Sequence, residues 1–306
     1  MTPTGAASKT RREIESQPEC WKRAVELSPL ASHALPPTGA RVGAVGCGSA
    51  YNIAHAYARL RERAGLGETD AFVSSEAPRR RRYDHMVFFS RTGTTSETLD
   101  ALRHAPPGVP TTAVTAEGES PIATEAQRCV VLDFANEQSI VETRFVTSSL
   151  AFLRVHLGED PAPIVAAAYE GLETELPPGA PEARPIVFLG SSWAFALANE
   201  AELKLRETAQ VWTESYEAME YRHGPISLAG PGVLVWSFGT PPRHLANEVS
   251  ATGAQWEHTP LDPLAELVRA QRLALELATA LGKDPDHPRN LNRSVILDVD
   301  ELKDES

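Results

Sequence analysis

The 306-residue chain has only three cysteines, Cys20, Cys47 and Cys129, far apart and outside any CxxC spacing. Neither a disulfide framework nor a zinc site is expected from them. No stretch approaches the roughly 18 uninterrupted apolar residues that a membrane helix requires. The opening MTPTGAASKTRREIE has no apolar segment behind its charges, so a cytoplasmic protein without membrane contact is expected. A basic excess is also lacking: 29 Lys+Arg face 41 Asp+Glu, a net charge of −12. That balance argues against a grip on the nucleic-acid backbone. The one dense basic run, Arg79 to Arg82, reads as a solvated loop. No metal-ligand cluster stands out, and no cofactor is expected.

What is present is ordinary globular composition, 42% apolar and 23% charged, enough for one large core or two of roughly 150 residues each. After a polar, helix-compatible segment over 1–40, short apolar runs alternate with amphipathic ones, the grammar of βαβ units. Strands are expected at Arg41–Val45, Ala71–Ser74, Met86–Phe89, Thr112–Thr115 and Cys129–Phe134, with helices at Tyr51–Ala64, Thr95–His104 and Ile140–Leu157. Together they make a doubly wound α/β sheet. A Pro/Gly/Glu-rich stretch, 173–186, then precedes a second cycle, so the domains are drawn at 41–172 and 173–306. Setting Gly46 over Gly190 aligns VGCGSAYNIAHAYA with LGSSWAFALANEAE, the mark of an internal duplication. Further strands are expected at Val233–Phe238 and Gln255–His258, helices at Leu245–Gly253 and Leu264–Leu281, and a strand or extended tail at Ser294–Val299.

Three constellations could carry chemistry. Gly46-Cys47-Gly48-Ser49 follows a strand and opens a helix, where backbone N–H groups meet the positive end of a helix dipole and attract anions. A dinucleotide fingerprint would need a third glycine where Tyr51 stands. Ser90-Arg91-Thr92-Gly93-Thr94-Thr95-Ser96-Glu97 gathers five hydroxyls, an arginine and a glycine between strand and helix, which suits a phosphate monoester. Thr94 with Glu97 also fits a capping box, although a cap needs one hydroxyl, not five. Glu200, Lys204 and Glu207, four and then three residues apart, share one helix face, and Tyr221-Arg222-His223-Gly224-Pro225 follows. On a solvent face Glu200 and Lys204 would be an ordinary i,i+4 pair, and His223 an ordinary turn histidine.

These motifs, GCGSAY, SRTGTTSET, NEQSIVETRFVTSS, EAELKLRE, YRHGP and DPDHPRNLNRSV, occur in the order seen in the sugar isomerase (SIS) family of phosphosugar-binding domains. From about residue 41 the chain resembles the isomerase half of glucosamine-6-phosphate synthase and its tagatose-6-phosphate aldose/ketose isomerase relatives. The resemblance implies two tandem SIS subdomains, each a five-stranded parallel sheet flanked by helices, paired as a homodimer. It assigns phosphate binding to Ser49, Ser90, Arg91, Thr92 and Thr95. It makes Glu207 the base that moves a proton between C1 and C2, with Lys204 and Glu200 as its neighbours, and His223 the ring-opening acid near the subunit boundary. A carboxylate within hydrogen-bond reach can take a C2 proton, and a histidine near neutral pH can protonate a ring oxygen.

Departures from the pattern narrow the chemistry. Position 2 is Thr where the synthase's glutaminase half would place a nucleophilic cysteine, so glutamine-dependent amide transfer is not expected. Arg293 replaces a lysine able to form a Schiff base, which arginine cannot do; it either holds a substrate oxygen or pairs with a surface carboxylate. Ala50 stands where a phosphate-binding serine is usual, and Glu142 replaces a small or apolar residue near the sugar. The expected substrate is therefore a hexose or amino-sugar 6-phosphate. Dehydration of N-acetylglucosamine 6-phosphate is the reaction slightly favoured, with aldose/ketose isomerisation, or deamination or deglycation of a hexosamine-type phosphate, as alternatives. A non-catalytic phosphosugar sensor is the rival from another class, since fold alone does not decide function.

Overall fold

The computed structural model describes residues 8–298. In chain order its elements are α1 (Lys9–Glu15), α2 (Gln17–Ala31), β1 (Val42–Gly46), α3 (Ser49–Arg63), β2 (Thr69–Val73), β3 (His85–Phe89), α4 (Ser96–Arg103), β4 (Thr111–Thr115), α5 (Pro121–Glu125), β5 (Arg128–Val131), α6 (Arg144–His156) and α7 (Pro161–Glu173). They continue as β6 (Ile186–Gly190), α8 (Trp193–Ala209), β7 (Thr213–Glu217), β8 (Leu234–Phe238), α9 (Leu245–Ala251), β9 (Gln255–Glu257) and α10 (Pro263–Ala280).

All pairings are parallel, in two sheets ordered β2-β1-β3-β4-β5 and β7-β6-β8-β9. The central strands β1, β3, β4, β6 and β8 are buried at every residue. Helices cover both faces of such strands, which explains why apolar residues dominate β1, β3, β6 and β8, while β4 buries Thr111, Thr112 and Thr115 as well. The second sheet has four strands among the described residues, not the five expected. After β9 the chain enters α10, and the Pro- and Asn-rich stretch beyond it forms no further strand. No strand forms over 294–298 either; position 299 lies outside the described residues.

Two compact units contain these sheets. The four-stranded unit takes in 8–18, Gln138–Thr143 and Ala162–Leu291, and the five-stranded unit Glu19–Glu137, Arg144–Pro161 and 292–298. Within the four-stranded unit, α8 packs along α10. There the Glu266 carboxylate accepts from Trp236 Nε1 (2.9 Å) and pairs with Arg269 (2.8 Å). Within the five-stranded unit, the apolar core gathers Val45, Met86, Phe88, Leu99, Leu102 and Ile122.

The duplication read from sequence reappears in the backbone. Gly46 and Gly190 both abut the helix that follows: an added Cβ would meet the backbone of Ala50 and of Ala194, respectively. Two residues later Gly48 has φ 53°, ψ −123° and Ser192 has φ 56°, ψ −130°.

Candidate functional site

In open parallel sheets, ligands bind outside the carboxyl ends of the strands where the strand order reverses. In the five-stranded sheet that point lies between β1 and β3, and the loops leaving these strands are Gly46–Ser49 and Ser90–Thr95. Gly93 (φ 66°) is held where any Cβ would run into Ser120 and Ile122, so this turn accepts only glycine. The Gly93 N–H donates to Ser90 Oγ (3.1 Å), and Thr94 Oγ1 lies 3.0 Å from Thr92 Oγ1. Ser294, which sequence reasoning did not single out, joins the group: its Oγ is 2.9 Å from Thr94 Oγ1, 3.3 Å from Thr92 Oγ1 and 3.5 Å from Thr95 Oγ1. The tail is held there by backbone as well, Ser96 N–H donating to the Val295 carbonyl (3.1 Å). Four hydroxyls and the first turn of α4 thus converge. The capping-box reading fails. Helix α4 begins one residue later than that motif requires, Thr95 takes the N-cap position without a side-chain cap, and Thr94 turns to Thr92 and Ser294.

Arg91 is placed differently from the hydroxyls. It is buried, its NH1 3.2 Å from Glu137 Oε2, with the two side chains 1% and 0% exposed; its NH2 donates to the Arg293 carbonyl (3.3 Å). The guanidinium therefore braces the loop and the tail from below. Arg293 is itself spoken for: its NH2 reaches Glu117 Oε1, Asn136 Oδ1 and the Glu137 carbonyl, each at 2.9 Å. Of its two expected roles, the structure displays the pairing with a carboxylate. Ser49 is buried as the first residue of α3.

The four-stranded unit holds the residues expected to do the acid–base work. Glu200, Lys204 and Glu207 do share one face of α8, and it is not a solvent face: Lys204 Nζ lies 3.3 Å from Glu200 Oε1 and 2.5 Å from Glu207 Oε2, with side-chain exposures of 1%, 0% and 19% for Lys204, Glu200 and Glu207. Burial alone would push the Lys204 ammonium down, but Glu200, Glu207 and Glu142 outweigh it and hold the pKa above the usual lysine value. Lys204 stays protonated at neutral pH, serving as a counter-ion and donor rather than as an amine nucleophile. Glu142, singled out in sequence as a departure, thus stands within electrostatic range of Lys204.

The loop that carries Glu142 is fastened by residues that sequence reasoning missed. Glu13, buried on α1, accepts from Gln138 N (2.5 Å), Ser139 N (3.3 Å) and Ser139 Oγ. At the far end Gln271 Nε2 donates to the Thr143 carbonyl (3.4 Å), and Gln17 Nε2 donates to Gln271 Oε1 (2.9 Å). A polar residue on an N-terminal helix announces no such contact by periodicity. His223 ends a short 3-10 turn, Glu220–His223, before Gly224 (φ 146°), and is exposed. No hydrogen bond joins it to the Lys204 cluster among the described residues.

Among the described residues no group of three or more His, Cys, Asp or Glu could hold a metal ion, and no helix is long and apolar enough to cross a membrane.

No model of a known protein family matches the chain. A glutamine–fructose-6-phosphate aminotransferase (isomerizing) of Tropheryma whipplei is 30% identical over 325 aligned positions, covering 84% of this chain and 52% of that protein. The chain spans about half the length of the curated relatives it matches. Among solved structures, a glucosamine-6-phosphate deaminase of Thermotoga maritima is 27% identical, with a TM-score of 0.79, covering 95% of this chain and all of that one. A tagatose-6-phosphate ketose/aldose isomerase of Escherichia coli shares the fold at a TM-score of 0.77 and 18% identity, over 94% of this chain and 98% of that one. With its two parallel sheets, hydroxyl loop and buried Glu-Lys-Glu helix, the chain belongs to the sugar isomerase (SIS) family.

Proposed function

We propose that this protein moves a proton between C2 and C1 of an open-chain hexosamine 6-phosphate and acts as a phosphosugar isomerase of the deaminating kind. The observation that carries this reading is the charge of the helix cluster. Three carboxylates, Glu142, Glu200 and Glu207, surround one protonated lysine. An excess of fixed negative charge favours a cationic C2 ammonium over a neutral acetamide. Glu207, the partly exposed member of the Glu200-Lys204-Glu207 row, is the group available to a substrate carbon.

In this scheme the hydroxyls of Ser90, Thr92 and Thr95, with Ser49, take the phosphate. His223 gives a proton to the ring oxygen as the C1–O5 bond breaks and the aldehyde forms. Its exposed position suits a group that serves a second subunit, as expected for a homodimer. Glu207 removes the C2 proton, leaving an enolamine across C1 and C2, and returns it to C1. The C2–N bond is then an iminium. Water adds to C2, ammonia leaves, and a ketose 6-phosphate remains: one water is consumed and one ammonia released. Lys204 holds Glu207 in place by a charge-assisted hydrogen bond.

Dehydration of N-acetylglucosamine 6-phosphate uses the same first proton abstraction and ranks second, because an acetamide brings no charge to match the carboxylates. Separate incubation with glucosamine 6-phosphate, N-acetylglucosamine 6-phosphate and fructose 6-phosphate in deuterated water, followed by proton NMR, mass spectrometry and an ammonia assay, separates the readings. Ammonia release with deuterium at C1 of the product is expected from the first sugar. Loss of one water from the second would establish elimination instead. Binding without exchange of any carbon-bound proton would favour the sensor. Glu207→Gln should lower turnover about 10²- to 10⁴-fold with binding retained; full turnover in that variant would remove Glu207 as the base.

A further inference from the structure

The five-stranded unit has a concavity at the amino end of its strands, opposite the end that carries the hydroxyl loop. It encloses about 540 Å³, within the usual range for small-molecule sites. The loop Ser90–Thr95 leaves the carboxyl end of β3, whereas the cavity is lined by residues at the starts of strands: His85 opens β3, Arg128 opens β5 and Pro110 precedes β4.

Arg128 lines this cavity and Arg61 stands behind its wall, neither with a carboxylate partner among the described residues. Arg61 is 1% exposed. Its guanidinium donates to the carbonyls of Pro37 (2.8 Å), Ala40 (2.8 Å) and Gly67 (3.2 Å) and to Thr69 Oγ1 (3.0 Å), immediately behind the wall that Pro37 contributes. Arg128 is exposed at the rim and, among the described residues, reaches only the His33 carbonyl, at 3.5 Å. A buried charge without a counter-ion is costly, and a buried arginine does not escape by losing its proton. The lining contains one carboxylate, Asp84, which accepts the Arg41 N–H (2.8 Å).

The hydrogen-bond network also orients two imidazoles. The Thr112 hydroxyl donates to the Ala34 carbonyl, so at its 2.8 Å contact with His85 Nε2 it must accept. The neutral ring therefore carries its proton on Nε2 and a lone pair on Nδ1. By the same logic Ser32 Oγ donates to the Ser28 carbonyl (2.7 Å) and accepts from His156 Nδ1 (3.1 Å), leaving a lone pair on His156 Nε2. Both histidines line the cavity, and neither lone-pair nitrogen has a hydrogen-bond partner among the described residues. Burial, reinforced by the charge of Arg128 and Arg61 for His85 and of Arg61 for His156, holds both near pKa 4, so they are neutral acceptors at pH 7.

We propose that this cavity is a second ligand site, separate from the hydroxyl loop, and that it takes the phosphate monoester of a sugar. The uncompensated arginines call for an anion, and the imidazole lone pairs call for hydroxyl donors on the same molecule. The rest of the lining is largely aliphatic, with Leu35, Pro36 and Leu66, and offers no aromatic ring apart from imidazoles, so a nucleobase would find no stacking face. The assignment does not depend on the activity proposed above.

The test is a titration of [13C]histidine-labelled protein with inorganic phosphate and, separately, glucosamine 6-phosphate, read at the His85 and His156 ring signals. Saturable shifts at both rings are expected, with the sugar phosphate binding severalfold more tightly than phosphate. Arg128→Gln, at an exposed position, should weaken binding about tenfold. The double variant Ser90→Ala, Thr92→Val should leave the shifts in place, which separates this site from the loop. Unmoved histidine signals, shifts lost in the loop variant, an unaffected Arg128→Gln, or equal affinity for the two ligands would each overturn the proposal.

Discussion

Gly48 and Ser192 occupy the same place in the two sheets and the same backbone conformation, φ 53°, ψ −123° against φ 56°, ψ −130°. The turn that starts α3 and α8 needs a positive φ, and glycine adopts it without a Cβ penalty. Serine at 192 carries strain of about 1–3 kcal/mol. Ser192 is exposed, so nothing else is lost on replacing it. Ser192→Gly should raise the midpoint of denaturant unfolding by the equivalent of about 1 kcal/mol with an unchanged slope, whereas Gly48→Ala should lower it by a similar or larger amount.

The charge cluster on α8 makes a second prediction, one of sign. Lys204→Met leaves Glu200 and Glu207 facing each other with Glu200 fully buried. It should destabilise by about 3–5 kcal/mol and cost activity through misplacement of Glu207. Adding Glu200→Gln to that variant should recover part of the stability, because the buried charge is then removed. A double-mutant cycle read by chemical denaturation checks this; strictly additive losses would contradict the coupling.

Beneath the hydroxyl loop, Arg91 and Glu137 form a pair with almost no solvent access. Glu137→Gln should cost about 3–5 kcal/mol, and because solvent ions do not reach the pair, the cost should differ little between low and molar salt. A loss that fades with added salt would place the pair at the surface.

His85 and His156 set an acid limit on stability. Both are held near pKa 4 in the folded chain, below the ordinary value of 6.5, by burial first and by nearby arginines second. Between pH 6.5 and 4 the unfolded chain therefore binds more protons than the folded one. Stability should fall as pH drops through that window and flatten below it. His85→Gln should shallow the slope of unfolding free energy against pH between 4 and 6.5; an unchanged slope would show that His85 titrates alike in both states.

Arg293 offers a smaller effect. Its three contacts are at a partly exposed position, 40% for the side chain, so Arg293→Lys should change stability by no more than about 1 kcal/mol. Thermal melting of the variant measures this directly.

Much of the architecture was legible in the residues themselves. Central strands such as Met86–Phe89 announce themselves because burial on both faces demands unbroken apolar sequence. The glycine turns at Gly46 and Gly190 show because close approach of a helix excludes a Cβ. Edge strand β7, Thr213–Glu217, was missed: half-exposed, it reads as TESYE, with no apolar run to betray it. Helix α7 was not anticipated; Pro161 and Pro163 stand in its first turn, where proline is tolerated. The spacing of Glu200, Lys204 and Glu207 put them on one face, but helical periodicity is the same for a solvated row and a buried one. Only the packing of α8 decided that this row is buried and that Lys204 keeps its proton.

Contacts distant along the chain escaped the sequence altogether. Glu13 meets Ser139 across 126 positions, Thr94 meets Ser294 across 200, and the Arg61 charge stands behind the wall of a cavity. The sequence determined residue chemistry and local period, because both act over a few residues. Which charges lose their water, which hydroxyls converge and which arginines lack a counter-ion depend on how remote segments close on one another, and tertiary structure alone decided them.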